Sequence, residues 1–232
     1  MTTVNILSGG AAQGLVRGLS DAFKAQTGLG IDGQFGAVGI MADKLRAGTP
    51  TDLVILTQAL LAKLADENLV VASSITDVGR VETALAVRSR DPKVTAKTEA
   101  DLREVLRSAD AIYVPDTKAS TAGQHVAKVL DQLGIASEVA PRLKIFPNGA
   151  TAMRELAAST AARPIGCTQV TEIIATGGIE LSGALPPGCE LVTMYTAGVT
   201  AGAAHPKEAA ALVALLTRAD HRELRQRVGF AG

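Results

Sequence analysis

Short apolar runs of β type alternate with stretches of helical spacing along nearly the whole chain, and this alternation predicts an α/β fold with parallel sheets covered by helices. The expected strands are Thr3–Leu7, Gly30–Phe35, Leu53–Leu56, Val81–Val87, Ala111–Val114, Leu143–Phe146, Ile165–Cys167 and Cys189–Thr196. Between them lie expected helices near Gly10–Gln26, Ile40–Ala47, Gln58–Glu67, Glu99–Ser108, Thr121–Leu133, Gly149–Ala158 and Thr171–Thr176. Pro206–Thr217 and His221–Val228 close the chain as helices, with Pro206 at a first-turn position where a missing N–H is tolerated. No short repeat, low-complexity run or Pro-rich tether divides the 232 residues. A division into two domains therefore has to pass through extended segments, near Val81–Ser89 and Leu191–Thr196.

The first strand ends in a turn of small residues, Ser8-Gly9-Gly10-Ala11, followed by an apolar stripe, Leu15, Leu19 and Phe23, at helical spacing. The first amides of a helix have no intrahelical partner, and the helix dipole leaves partial positive charge at that end, so such a turn suits an anion. Composition narrows the choice. Lys plus Arg and Asp plus Glu each number 23, so no basic surplus exists to neutralise a nucleic-acid backbone. Aromatic residues make up 3% with no Trp, which removes the stacking platforms that bases and many sugars need. A small polar or carboxylate ligand fits better.

No basic leader precedes the first strand and no segment reaches the apolar length that spans a bilayer, so the expectation is no membrane insertion. The chain as it stands reads as cytoplasmic, or as periplasmic if a signal peptide has been removed. Cys167 and Cys189 are the only cysteines, and Cys167, inside an apolar run, reads as a reduced core residue.

Several segments in order resemble the molybdate-binding proteins of bacterial ABC transporters, members of the type II periplasmic-binding fold. The resemblance is carried by Asn5-Ile6-Leu7-Ser8-Gly9-Gly10-Ala11, Ala22-Phe23 through Thr27-Gly28, and Phe35-Gly36-Ala37-Val38-Gly39. It continues through Leu45-Arg46-Ala47-Gly48-Thr49-Pro50-Thr51-Asp52-Leu53-Val54-Ile55, Ala122-Gly123, Pro164-Ile165-Gly166-Cys167, and Tyr195-Thr196-Ala197-Gly198-Val199 to Val228-Gly229-Phe230. It implies two Rossmann-like lobes joined by two crossing strands, residues 1–83 plus 194–232 and residues 84–193, with an interlobe cleft that encloses the ligand by hinge closure. It also implies an oxyanion held by helix-start amides, serine hydroxyls and one tyrosine hydroxyl. Here the first serine position falls on Ala11, the second turn reads Gly36-Ala37-Val38-Gly39, and the tyrosine position falls on Gln169. Each unsatisfied buried group costs roughly 1–3 kcal/mol, so three lost hydroxyls would weaken molybdate binding by several powers of ten. Ser8 offers one hydroxyl from a displaced position.

The candidate ligand-binding residues are Ser8, Gly9, Gly10, Ala11, Gly36, Ala37, Val38, Ser120, Thr121, Ala122, Asn148, Gly149, Ala150, Thr168 and Gln169. Ser120 or Thr121, Asn148 and Thr171 also read as ordinary helix caps. Gln169 both donates and accepts, which suits a carboxylate or amide better than a symmetrical oxyanion. Lys118 precedes the Ser120-Thr121 turn, and His125 shares the Thr121 face one turn inside, so these two are the candidate catalytic residues. Gly9-Gly10-Ala11-Ala12-Gln13-Gly14 matches a degenerate dinucleotide fingerprint, but the second strand ends at Gln34-Phe35-Gly36 without the acidic residue that holds a ribose. No phosphate loop, nucleophile elbow or pair of His or Cys at metal-ligand spacing is present, so no cofactor and no metal are expected.

Two functions follow. The first is a receptor that closes on a small anionic ligand, an organic carboxylate rather than molybdate, with an ABC permease as partner if an exported form exists. The second resembles the aconitate isomerases of the same fold: a cofactor-independent isomerase of a small polycarboxylate, in which amides and Lys118 hold carboxylates and His125 or another cleft group shuttles a proton.

Overall fold

The computed structural model describes residues 2–231. In chain order its strands are β1 (Thr3–Gly9), β2 (Gly30–Gly36), β3 (Leu53–Thr57), β4 (Thr76–Arg88), β5 (Ala111–Pro115), β6 (Leu143–Phe146), β7 (Pro164–Gln169), β8 (Ile179–Ala184) and β9 (Val192–Val199). Its helices are α1 (Gln13–Thr27), α2 (Val38–Arg46), α3 (Gln58–Asp66), α4 (Glu99–Ser108), α5 (Thr121–Gln132), α6 (Ala136–Val139), α7 (Gly149–Ala158), α8 (Val170–Ile174), α9 (Pro206–Thr217) and α10 (Arg222–Arg227). The chain divides into two compact units, Met1–Val81 with Thr193–Gly232, and Glu82–Val192. One boundary falls inside β4 and the other after the first residue of β9.

In the first unit β1 pairs in parallel with β2 and with β3, and β9 runs antiparallel to β3, from Leu53 opposite Val199 to Thr57 opposite Tyr195. α1 forms because Leu15, Val16, Leu19 and Phe23 fall on one face and are buried, and it ends at Gly28, whose φ of 75° only glycine adopts without strain. That face packs into a core with Val4, Ile6 and Leu7 of β1, Leu53–Leu56 of β3, and Leu212 and Leu216 of α9. Asp52, buried just before β3, accepts the amide N–H of Asn5 at 2.8 Å and that of His205 at 2.8 Å. Because His205 precedes the first residue of α9, this carboxylate fixes the entry to α9 against the start of the sheet.

In the second unit β5 pairs in parallel with β6 and β7, while β4 runs antiparallel to β7 and β8. Leu85, Leu102, Ile112, Val126, Leu130, Ile165 and Cys167 pack on one side of this sheet. Ala84, Ala86, Ala152, Met153, Leu156 and Ile173 form a second cluster. α4 begins with a reciprocal cap in which the Thr98 hydroxyl accepts the Asp101 N–H and the Asp101 carboxylate accepts the Thr98 N–H. Both cysteines are free and buried, and burial pushes the Cys167 thiol up to about 12. No helix among the described residues is long and apolar enough to cross a membrane.

The sheets are mixed rather than wholly parallel, because the long strand β4 and the late strand β9 run against their neighbours. β8 is a strand that the sequence pattern does not announce. Glu180 and Leu181 are both exposed, Gly183 interrupts the run, and the pairing with β4 shifts register between Leu85 and Ala86. Residues Gly10–Ala12 form a 3-10 turn, so the first α-helix starts at Gln13 rather than at Gly10.

Candidate functional site

The β1–α1 turn of the first unit is held by a close approach. A Cβ at Gly9 would lie 2.8 Å from the Tyr195 ring and 2.8 Å from Val38 Cγ1, so only glycine lets β1, the start of α2 and β9 meet there. Ser8 is fully buried, and its hydroxyl donates to the Gly9 carbonyl at 2.9 Å. Ala11 is buried in the core, and Gly10 opens the 3-10 turn with no side-chain cap. At the next turn, a Cβ on Gly36 would lie 2.9 Å from the Met41 methyl. Ala37 caps α2 with extended backbone and no side-chain hydrogen bond, and both Ala37 and Val38 are buried. The first amides of α2 thus have no side-chain acceptor among the described residues, the condition in which a helix start attracts an anion.

The helix starts of the second unit are built differently. After β5, Asp116 accepts the amides of Ala119 at 2.9 Å and Lys118 at 2.7 Å, and these bonds hold its carboxyl below the usual carboxylate range. Ser120 then caps α5 by accepting the Gly123 N–H at 3.5 Å, ahead of Thr121 and the buried Ala122. Lys118 is exposed, and its amine makes no ion pair among the described residues. His125 is half-buried, and its Nε2 lies 2.8 Å from the Cys189 carbonyl oxygen, so that nitrogen carries the proton and donates it. Before α7, the Asn148 side chain accepts the Thr151 N–H at 2.8 Å.

The third helix start in this unit holds a residue that sequence reasoning did not select. Glu172 is 6% exposed and accepts a hydrogen bond of 2.6 Å from the Thr168 hydroxyl. Burial pushes its carboxyl above the usual range, against the pull of that hydroxyl and of the backbone amides of Ala150, Gln169 and Gly149. A Cβ on Gly149 would overlap Glu172 Oε2 and Thr168 Oγ1. The turns predicted to hold ligand through Gly149, Ala150, Thr168 and Gln169 are therefore gathered around one internal carboxylate. The spacing Thr168-x-x-x-Glu172 was the available signal, but only the fold brings Gly149 to it.

Gln169 is buried and stands opposite Thr83 in the β4–β7 register. The hydroxyls of Thr83 and Thr171 are buried and have no hydrogen-bond partner among the described residues. Buried hydroxyls are nearly always satisfied, so the Thr83 hydroxyl on the residue paired with Gln169, and the Thr171 hydroxyl two residues along the chain, mark places where a polar partner is wanted. Among the described residues no group of three or more His, Cys, Asp or Glu side chains could hold a metal ion.

A sequence profile described as bacterial extracellular solute-binding protein matches residues 4–231. The chain belongs to this family. Its fold is that of the periplasmic-binding proteins. The periplasmic molybdate-binding protein of Azotobacter vinelandii is similar to this solute-binding protein with a TM-score of 0.82 at 16% identity, over 99% of each chain. The sulfate-binding protein SubI of Mycobacterium tuberculosis H37Rv is similar with a TM-score of 0.77 at 18% identity, over 99% of this chain and 86% of that one. At the sequence level, an aconitate isomerase from Pseudomonas sp. is 26% identical over 231 residues, 95% of this chain and 84% of that protein.

Proposed function

We propose that this solute-binding protein takes a small organic carboxylate rather than molybdate. The observation that carries this reading is the pair of orphan buried hydroxyls in the second unit, Thr83 opposite the buried Gln169 in the sheet and Thr171 two residues after it. A carboxylate needs several donors set around two oxygens, and its hydroxyl or second carboxyl group gains from a side chain that can also accept. Within the second unit, Gln169 and the two hydroxyls provide that mixture of donors and acceptors. The side chains at Ala11, Ala37 and Val38 carry no hydroxyl for a tetrahedral dianion. On the transport reading, the partner that receives the ligand is an ABC permease.

The sequence likeness to an aconitate isomerase favours a second reading, because its 26% identity exceeds the 16% and 18% shared with the molybdate- and sulfate-binding proteins. On this reading the bound ligand is a polycarboxylate such as aconitate. Lys118 then holds one carboxylate, and His125 or another group at these turns carries a proton between two carbons without a cofactor. The Nε2 bond to Cys189 leaves only Nδ1 of His125 for that task.

One experiment tests both readings. Proton NMR of cis- and trans-aconitate is followed over time with the protein in deuterated buffer, together with saturation transfer from protein to ligand. Saturation transfer with stable ligand spectra is the expected result for a binding protein. Interconversion of the isomers with deuterium uptake selects the isomerase. Absence of both effects overturns the carboxylate reading for this class of ligand.

A further inference from the structure

The second unit holds a cavity of about 200 Å³ that the carboxylate reading does not use. It lies at the start of β7, where Pro164 and Ile165 line it, whereas Gln169 ends that strand. Val87 of β4 joins them as a buried floor, and Val105 and Ala109 enter from α4 and its C-cap. The walls are fixed in place. The buried Arg88 guanidinium donates to the Ser159 carbonyl at 2.7 Å and pairs with Asp91, which is part of the lining. Val94, also in the lining, accepts from and donates to the Ser182 hydroxyl, at 2.9 and 2.6 Å. Arg163 donates its amide and its guanidinium to Asp110, at 3.0 and 3.2 Å.

We propose that this cavity is a binding site for a small neutral ring compound with one hydrogen-bond donor, of the size of a phenol or an indole. Volume sets the size, since an apolar cavity of roughly 150 Å³ holds a benzene ring. Charge sets the class. The two ionic side chains in the lining, Asp91 and Arg163, are already paired with Arg88 and Asp110, so a charged ligand would lose its hydration and meet no free counter-charge. Pro92 and Pro164 have no N–H to offer. The Ser108 hydroxyl, also in the lining, donates to the Val105 carbonyl at 3.1 Å, which leaves its oxygen to accept. An apolar wall with one such acceptor favours a ligand that brings a single O–H or N–H. The site stands apart from the orphan hydroxyls and does not depend on the carboxylate reading.

Titration of the full chain with p-cresol, followed in its methyl NMR spectrum, tests the proposal. Saturable shifts are expected at the methyls of Val87, Val105 and Ile165, and none at Leu15 and Leu19 of α1 in the first unit. In Val105→Phe, where a ring fills the cavity from a half-buried position on α4, the affinity for p-cresol is expected to fall at least about tenfold. In Ser108→Ala it is expected to fall about fivefold, the scale of one hydrogen bond, with the affinity for toluene unchanged. That second variant keeps the test available if Val105→Phe does not fold. Absence of saturable shifts, or equal affinity for p-cresol in wild type and Val105→Phe, would overturn the proposal. Benzoate or benzylamine binding as tightly as p-cresol would overturn the neutral class. A dimer that p-cresol dissociates would place a side chain of a second copy in the cavity, and would likewise overturn the assignment to a free ligand.

Discussion

Gly123→Ala is expected to lower the stability of the protein by about 3 kcal/mol or more, a cost at the upper end of overpacking effects. A Cβ at residue 123 would overlap the carbonyl oxygen of Asp116 and lie 2.6 Å from that of Pro115. Both are backbone atoms at the end of β5, so no rotamer change relieves the overlap and the start of α5 has to move away from the strand. The same movement pulls Ser120 off the Gly123 amide and displaces the Thr121 turn. Since Gly123 sits within a regular helix, alanine is otherwise a favourable residue there, and the expected loss isolates the close approach. For a chain of this size it corresponds to a fall in melting temperature of roughly 6–12 °C. Thermal unfolding followed by circular dichroism checks it, and a melting temperature within about 2 °C of wild type would contradict the account of this turn.

The second large effect belongs to Gly149→Ala. Here the added methyl meets side-chain atoms, the Glu172 carboxylate and the Thr168 hydroxyl, and Glu172 has to leave its donors while still buried. The expected cost is about 2–3 kcal/mol, the scale for breaking a charge-assisted hydrogen bond and leaving polar groups unsatisfied. The diagnostic feature is coupling. In a Glu172→Ala background the overlap with the carboxylate is gone and only the Thr168 hydroxyl has to turn aside, so Gly149→Ala is expected to cost less there than in wild type, giving a non-additive double-mutant cycle. Additive costs would mean that residue 149 and Glu172 do not compete for the same space.

Much of the secondary structure was legible because local chemistry marks its ends. α4, α7 and α9 begin and stop where the sequence places them, since Thr98 with Asp101, Asn148, and Pro206 are each start signals that act within one turn. β6 also lies where the sequence places it, with Leu143, Ile145 and Phe146 forming a short strand between polar turns. What the sequence withheld is non-local. The antiparallel course of β4 and β9 depends on which strands they meet, and the alternation of strand and helix does not report it. β8 is exposed and interrupted by Gly183, so it lacks the pattern of a buried strand.

The candidate site shows the same division. Turns such as Ser8–Ala11, Gly36–Val38 and Ser120–Ala122 stand out as small or polar residues between a strand and a helix. Glu172 does not, because an acidic residue in the first turn of a helix is an ordinary feature. Its importance comes from Gly149, 23 residues earlier, being folded against it. Tyr195 was likewise read only as part of a closing motif, whereas packing places its ring against Gly9 and sets the shape of the first turn. The residues that sequence reasoning named were those whose chemistry is local. Those it missed act through a contact that tertiary structure creates.

The most direct test of the central claim is isothermal titration calorimetry of the wild-type protein with trans-aconitate, citrate, sulfate and molybdate under one buffer and ionic strength. The account predicts that a carboxylate binds at least about tenfold more tightly than either inorganic oxyanion, a preference of roughly 1.4 kcal/mol or more. Tight binding of molybdate or sulfate with no heat from the carboxylates would contradict it.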